Sequence, residues 1–219
     1  MEPRKTAKIA VDAATAVVLV ALMATALVQE APHEWLGVAL LVLVVAHIVL
    51  NRRWLAAVPR VRVNGLRVLQ LIVLAGLILC LVGQVASSLV LSKHAFGFLP
   101  VLPGAAWARR VHMVCSYWMF MLAFAHAGLH MRLPKLGAAW GVWVARVAFA
   151  AVACFGARSF VQLGLGPYLA GLVQFAYADQ SVPLALMLAR YASVAVLVAG
   201  VFYYIRKGVV LAMRRKRRS

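Results

Sequence analysis

Acidic residues are scarce in this chain of 219 residues, which contains 5 Asp and Glu against 23 Lys and Arg. Only 13% of its residues are charged and 65% are hydrophobic, and its mean hydropathy is +0.93. The long apolar runs that follow each polar break are sufficient to cross a hydrocarbon core of ~30 Å as helices of about 20 residues. The composition therefore excludes an ordinary soluble domain and predicts an all-α, polytopic membrane protein.

Cysteine is also rare, and Cys80, Cys115 and Cys154 all fall within apolar runs. They therefore predict neither a disulfide framework nor a zinc site, and we interpret them as small buried apolar residues. The chain has no C-x-x-C-H motif, which attaches haem to c-type cytochromes, and no G-x-G-x-x-G motif for a dinucleotide. Any haem would therefore be bound without a covalent link, and oxidation of a nicotinamide would require a partner protein.

The sequence pI of about 11.3 is typical of nucleic-acid-binding proteins, but the placement of the charges argues against that class. Most basic residues lie in the polar breaks on one side of the predicted spans, as is usual for cytoplasmic loops. The residues on the other side are Lys93, Arg109, Arg110, Arg158 and Arg190. This distribution predicts a membrane protein with both termini in the cytoplasm, whose basic surface faces the lipid bilayer.

We expect a single integral membrane domain over 1–219. Its six spans are predicted at 9–29, 34–50, 66–91, 108–130, 141–161 and 183–205. The segment 164–183 is too interrupted for a span, and we expect a short interfacial helix there. In the third span, Gly76 and Gly83 are seven residues apart and predict a seam of small residues for close helix packing.

Histidines recur at one spacing in the second and fourth spans. His33 and His47 are fourteen residues apart, and so are His112 and His126. At ~100° and ~1.5 Å per residue, such a pair lies within roughly 40° of one helix face and about 21 Å apart along the axis. The predicted topology makes the two spans parallel, so His33 should face His112 near the outer surface and His47 should face His126 near the inner surface.

Haem iron takes axial ligands from opposite sides, and helical bundles build cofactor sites from side chains on facing helices. The four histidines therefore predict two bis-histidine haems of the b type. Gly37, one turn after His33, and Ser116 and Ala123 in the fourth span leave room on the expected haem face. The alternative is that histidines near the ends of spans are ordinary interfacial residues, although ionisable residues within spans are usually functional.

His130 is a second candidate for the inner ligand, because it follows His112 by eighteen residues, which is five whole turns. The matching spacing of His33 and His47 favours His126 instead. In that case His130 would bond a haem propionate or lie at the membrane interface. His94 falls in the outer loop, where we expect it to be solvated.

Propionates require cationic or hydrogen-bonding partners. Arg109 and Arg110 are the outer candidates, while Asn51 and Arg53 are the inner candidates. Each has an equally simple interpretation as an anchor at the end of a span. These side chains are therefore predicted only to lie near the haem edges.

Two acidic residues lie near the ends of predicted spans, and the first of them has two interpretations. Asp12 follows Lys8 by four residues, and an ion pair between them is the simpler account. The other is that Asp12 accepts a hydrogen bond from an imidazole that binds metal. Glu34 is predicted to open the second span, where a negative charge suits the helix N-terminus.

Several stretches together resemble the bacterial flavinylation-associated cytochromes, small membrane proteins related in plan to ferric-reductase-like cytochromes. The matching stretches are HEWLG with AHIVLN, SSLVLSKHAFGFLPVLPG, RRVHMVCSYWMFMLAFAHAGLH and, more weakly, VQFAYADQSVP with FYYIRK. They occur in order between residues 33 and 207. The resemblance implies a location in the bacterial inner membrane, haem binding and electron exchange with extracytoplasmic flavin-carrying proteins.

We therefore expect transmembrane electron transfer, with a flavoprotein, another redox partner or membrane quinone as the second reactant. One alternative is a terminal oxidoreductase that reduces ferric iron or oxidises quinol at its own surface. The other is a metal transporter or membrane scaffold, in which the histidines bind copper or zinc. The duplicated spacing counts against the last, because such sites need clustered ligands.

Overall fold

A computed structural model describes residues 3–25, 30–57, 64–100, 102–131, 139–176 and 181–216. Regular structure in these residues is entirely helical, in agreement with the predicted all-α class. The helices are α1 (Pro3–Thr25), α2 (Glu30–Ala57), α3 (Gly65–Leu91), α4 (Ala105–His130), α5 (Ala139–Gln162), α6 (Leu165–Leu169) and α7 (Leu184–Lys216).

All of these helices except α6 are long and apolar enough to cross a membrane, which confirms the six predicted spans. An α-helix suits this role because it satisfies its backbone hydrogen bonds internally, where lipid offers none. The chain is thus a multi-pass membrane protein. Helices α2 and α7 extend beyond the predicted spans 34–50 and 183–205, through polar flanking residues that can remain helical outside the hydrocarbon. The end of the predicted first span, 26–29, lies outside the described residues.

The short helix expected within 164–183 is α6. Gly164 precedes it with φ +61°, in the left-handed region that glycine adopts without steric cost, and this lets the chain turn sharply after α5. Tyr168 of α6 stacks on Tyr117 of α4, with ring centroids 4.2 Å apart and ring planes within 8°. The turn is therefore fastened to the side of α4.

Contacts at the helix termini define two ends of the bundle. We call the end with the N-termini of α2 and α4 the upper end and the opposite one the lower end. At the upper end, Glu34 accepts hydrogen bonds from the Ser92 hydroxyl at 2.6 Å and from the backbone N–H groups of 93–95 at 2.8 to 3.0 Å. The prediction that Glu34 opens the second span is wrong, because α2 begins four residues earlier. Its carboxylate instead secures the connection after α3.

Helix α4 packs between α3 and α7, and glycines allow the close approach on both sides. A Cβ atom at Gly83 would lie 2.6 Å from the Cys115 sulfur, and one at Gly76 would lie 2.9 Å from Leu122 Cδ1. This confirms the predicted seam and identifies α4 as its partner. On the other side, a Cβ at Gly128 would collide with the Ala199 carbonyl oxygen of α7.

Helix α2 stands apart from this core. Over the described residues, its Cα atoms come within 8 Å of those of α1, but not within 8 Å of any in α3, α4 or α7. Helices in direct contact have axes only about 8 to 10 Å apart, so α2 and α4 are separated by more than ordinary packing. We call the space between them the α2–α4 slot.

Candidate functional site

Two pairs of histidines face each other across the α2–α4 slot. The ring centroids of His33 and His112 are 6.3 Å apart, near the upper end, with an angle of 59° between the planes. Those of His47 and His126 are 6.4 Å apart, near the lower end, with an angle of 76°. The structure therefore brings together the same pairs that the fourteen-residue spacings predict, on parallel helices.

Both separations suit two imidazoles that bind one metal atom between them. With ring bonds of about 1.33 Å and a metal–nitrogen distance of about 2.0 Å, the two ring centroids would lie about 6.3 Å apart. Aromatic rings in direct contact also have centroids about 4.5 to 7 Å apart, so the distance alone does not distinguish a shared metal from direct ring contact. The two helices are nevertheless not packed directly against each other, because no Cα atom of α2 comes within 8 Å of one in α4 among the described residues.

Two ring nitrogens in the slot lack a partner. Within the described part of the chain, Nδ1 of His33 and Nδ1 of His126 are buried and have no hydrogen bond. Native proteins rarely leave buried polar atoms unpaired, and an unexplained one often marks an absent water, ion or ligand. One histidine of each pair thus has a ring nitrogen that the described protein leaves unsatisfied.

Asp12 of α1 orients the ring of His47. Its Oδ1 lies 2.7 Å from His47 Nδ1, and an ionised carboxylate can only accept, so Nδ1 carries the proton. That tautomer leaves the lone pair on Nε2, which is the arrangement of a metal-binding histidine backed by a carboxylate. The predicted pair of Lys8 with Asp12 is wrong, because the Lys8 ammonium group donates to Asn51 Oδ1 at 2.9 Å.

Helix α3 supplies polar groups around His112. The Ser87 and Ser88 hydroxyl oxygens both lie 3.4 Å from its Nδ1, and Gln84 Nε2 lies 3.5 Å from its Nε2. Gln84 also donates to the Ser116 hydroxyl at 2.7 Å. Sequence reasoning missed the three residues of α3, although polar residues three and four apart in an apolar span indicate a face turned toward protein or ligand.

His130 lies one turn below His126 and is exposed. Its ring centroid is 4.6 Å from that of His126 and 5.4 Å from that of Trp54 on α2. The ring of His47 thus faces His126, while His130 packs against Trp54. This geometry favours His126 as the lower ligand and leaves His130 at the edge of the slot.

The predicted propionate partners are engaged in different ways. The Arg109 guanidinium lies 5.1 Å from the centre of the Phe175 ring, and Arg110 is exposed. Asn51 donates to the His47 carbonyl oxygen at 2.9 Å, so its amide belongs to the network around the lower pair. Arg53 is exposed. Of these four side chains, Asn51 alone has a described hydrogen bond to a residue of a histidine pair.

No group of three or more His, Cys, Asp or Glu residues that could hold a metal ion occurs in the described ranges. Each histidine pair thus stands without a third described His, Cys, Asp or Glu placed to complete a metal-binding group. Comparison with protein-family models, curated proteins and solved structures finds no match to the chain.

Proposed function

We propose that this chain is a transmembrane electron-transfer cytochrome that carries two b-type haems. The observation that supports it is the facing of two histidine pairs across a slot between parallel helices, each pair separated by the distance that one shared metal atom requires. His33 and His112 would hold the upper haem, and His47 and His126 the lower. Haem iron with two histidine ligands supplies one-electron chemistry between its ferric and ferrous states.

The chain's own residues would then fix two redox sites at different depths. Sites separated by fourteen residues along a helix lie about 21 Å apart, within a hydrocarbon core of ~30 Å. Each site is thus close to one membrane surface, where it can meet a partner. Asp12 keeps the His47 ring in one tautomer, and the apolar helices around the slot exclude water.

The orientation in the membrane follows from charge. The lower end carries the basic residues of α1 and of the C-terminal ends of α2 and α7, and an excess of Lys and Arg is typical of cytoplasmic surfaces. We therefore place the lower end and both termini in the cytoplasm of a bacterial cell. The resemblance noted above supports an extracytoplasmic flavin-carrying partner at the upper end, with membrane quinone as the other candidate reactant.

A reduced-minus-oxidised spectrum, with the haem-to-protein ratio of the purified chain, tests the proposal. We expect the absorption bands of bis-histidine b-type haem and a ratio of two. A purified chain that folds but binds no added haem would refute it.

Single substitutions test the pairing. We expect His33→Ala or His112→Ala to remove the upper haem, and His47→Ala or His126→Ala to remove the lower, each leaving a ratio of one. His94→Ala is the matched control, because this exposed histidine of the upper connection belongs to neither pair. If His130→Ala removes a haem and His126→Ala does not, the lower ligand is wrongly assigned. Monodisperse elution in detergent checks that each variant is folded.

A further inference from the structure

A buried guanidinium lies at the lower end of the bundle. Arg67 is only 8% exposed, and within the described residues its Nε and Nη2 atoms are buried without a hydrogen-bond partner. Arginine remains charged in proteins, so it cannot escape the cost of burial by losing a proton. An unpaired buried charge is among the most expensive features a fold can carry. The packing of the described residues therefore does not explain why the Arg67 charge is buried.

The backbone around Arg67 increases this cost. The residue stands in the first turn of α3, where its N–H donates to the capping Asn64 side chain at 2.9 Å. A helix N-terminus carries partial positive charge, so a cationic side chain there is unfavourable. The position is electrostatically suited to an anion.

The described carboxylates of the chain are all engaged elsewhere. Asp12 pairs with His47, Glu30 pairs with Lys93 at 2.9 Å, and Glu34 binds the upper connection. The segment 58–63, which leads into α3, has no acidic residue in its sequence. The anion for Arg67 is therefore expected to come from outside the described protein.

The neighbours of Arg67 connect it to the α2–α4 slot. Its guanidinium lies 5.0 Å from the centre of the Trp54 ring, which in turn contacts the His130 ring. Trp54 follows His47 by two helical turns and His130 follows His126 by about one, so both lie below the lower pair on the same faces, at about 10 Å and 6 Å along the axes. Arg67 thus stands at the lower edge of the slot.

We infer that Arg67 is the binding site for the carboxylates of the lower haem, with Trp54 and His130 forming the wall beside it. The inference rests on the proposed function. A guanidinium presents paired N–H groups that match a carboxylate, which makes it a strong partner for a propionate in a partly dry site. Trp54 covers the face of the guanidinium by a cation–π contact and so leaves its N–H edge for the anion. Arg67 is added to Asn51 and Arg53 as a candidate lower partner, and of the two arginines only Arg67 is buried.

The test compares haem b with its dimethyl ester, which lacks the propionate charges. Both are titrated into the full chain carrying His112→Ala, so that the lower site alone is measured. Arg67→Met removes the charge and keeps a long side chain, Arg67→Lys restores the charge without the paired N–H groups, and Arg52→Met removes an exposed charge at the same end. Haem affinity and the melting temperature of the haem-free chain are the two readouts.

We expect Arg67→Met to weaken haem b binding at least tenfold, and Arg67→Lys less, while the dimethyl ester binds all four forms alike. We also expect Arg67→Met to raise the melting temperature of the haem-free chain, because it removes an unpaired buried charge. Unchanged haem b affinity in Arg67→Met overturns the inference but leaves the two-haem proposal intact. This is the result expected if the anion beside Arg67 is a lipid phosphate. Equal weakening of haem b and its ester overturns it as well, and a parent chain that binds neither overturns both.

Discussion

Replacement of Gly37 by leucine should separate folding of the chain from binding of the upper haem. Gly37 lies one turn below His33 and within about 40° of it around α2, on the side of the slot. A Cβ atom built at Gly37 has no atom of the described protein within 4 Å. The larger side chain therefore has space in the protein itself, but it would project into the volume that we assign to the macrocycle.

We expect opposite effects on the stability of the haem-free chain and on its affinity for the upper haem. Leucine is more favourable than glycine within a helix by up to about 1 kcal/mol, so the haem-free chain should be as stable as the parent or slightly more stable. Extra methylene groups in a filled site typically cost about 1 to 3 kcal/mol, which corresponds to roughly 5- to 150-fold weaker binding. We expect a loss of affinity within that range for the upper haem.

The measurement is a haem titration of Gly37→Leu in a chain that carries His126→Ala, so that the upper site alone is observed. Gly141→Leu is the matched control, because Gly141 on α5 also has open space around its Cβ position. Parent-like affinity in Gly37→Leu would show that the slot beside His33 does not hold the macrocycle. An equal loss of haem affinity in Gly141→Leu would show that the effect comes from replacing a helical glycine, and not from the slot.

Three other substitutions have distinct expected effects. Asp12→Asn should weaken binding of the lower haem about 10- to 100-fold in a titration, because carboxylates behind metal-binding histidines contribute that much to affinity. An equal loss of affinity for the upper haem would contradict the assignment of Asp12 to His47. Gly128→Val should lower the melting temperature, because the new side chain would collide with the Ala199 carbonyl and reduce the free energy of unfolding by about 1 to 3 kcal/mol. An unchanged melting temperature would contradict the close packing of α4 and α7. Glu34→Gln should speed tryptic cleavage after Lys93 by weakening the hold on the upper connection, and unchanged cleavage would argue against that role.

The spans and the histidine pairs could be predicted because both depend on local periodicity. An apolar run of sufficient length has no alternative to a helix in lipid, and fourteen residues return a side chain to nearly the same face whatever surrounds the helix. The ends of α2 and α7 could not be predicted in this way. Whether a polar flank continues the helix depends on contacts beyond the membrane, such as that of Arg206 with the Met131 carbonyl oxygen.

Apart from the facing of α2 and α4, and the alternative that Asp12 accepts from an imidazole, the lateral neighbours of the helices lay beyond sequence reasoning. Hydropathy specifies which segments cross the membrane but not how each is rotated or what it touches. The contact of Asp12 with His47 and the approach of Gln84 to His112 bring together residues from different helices. The isolation of Arg67 likewise depends on how α3 is placed beside α2. Amino-acid order thus specifies two histidine pairs at two depths, whereas the packing of the helices opens the slot between them and leaves a buried charge at its lower edge.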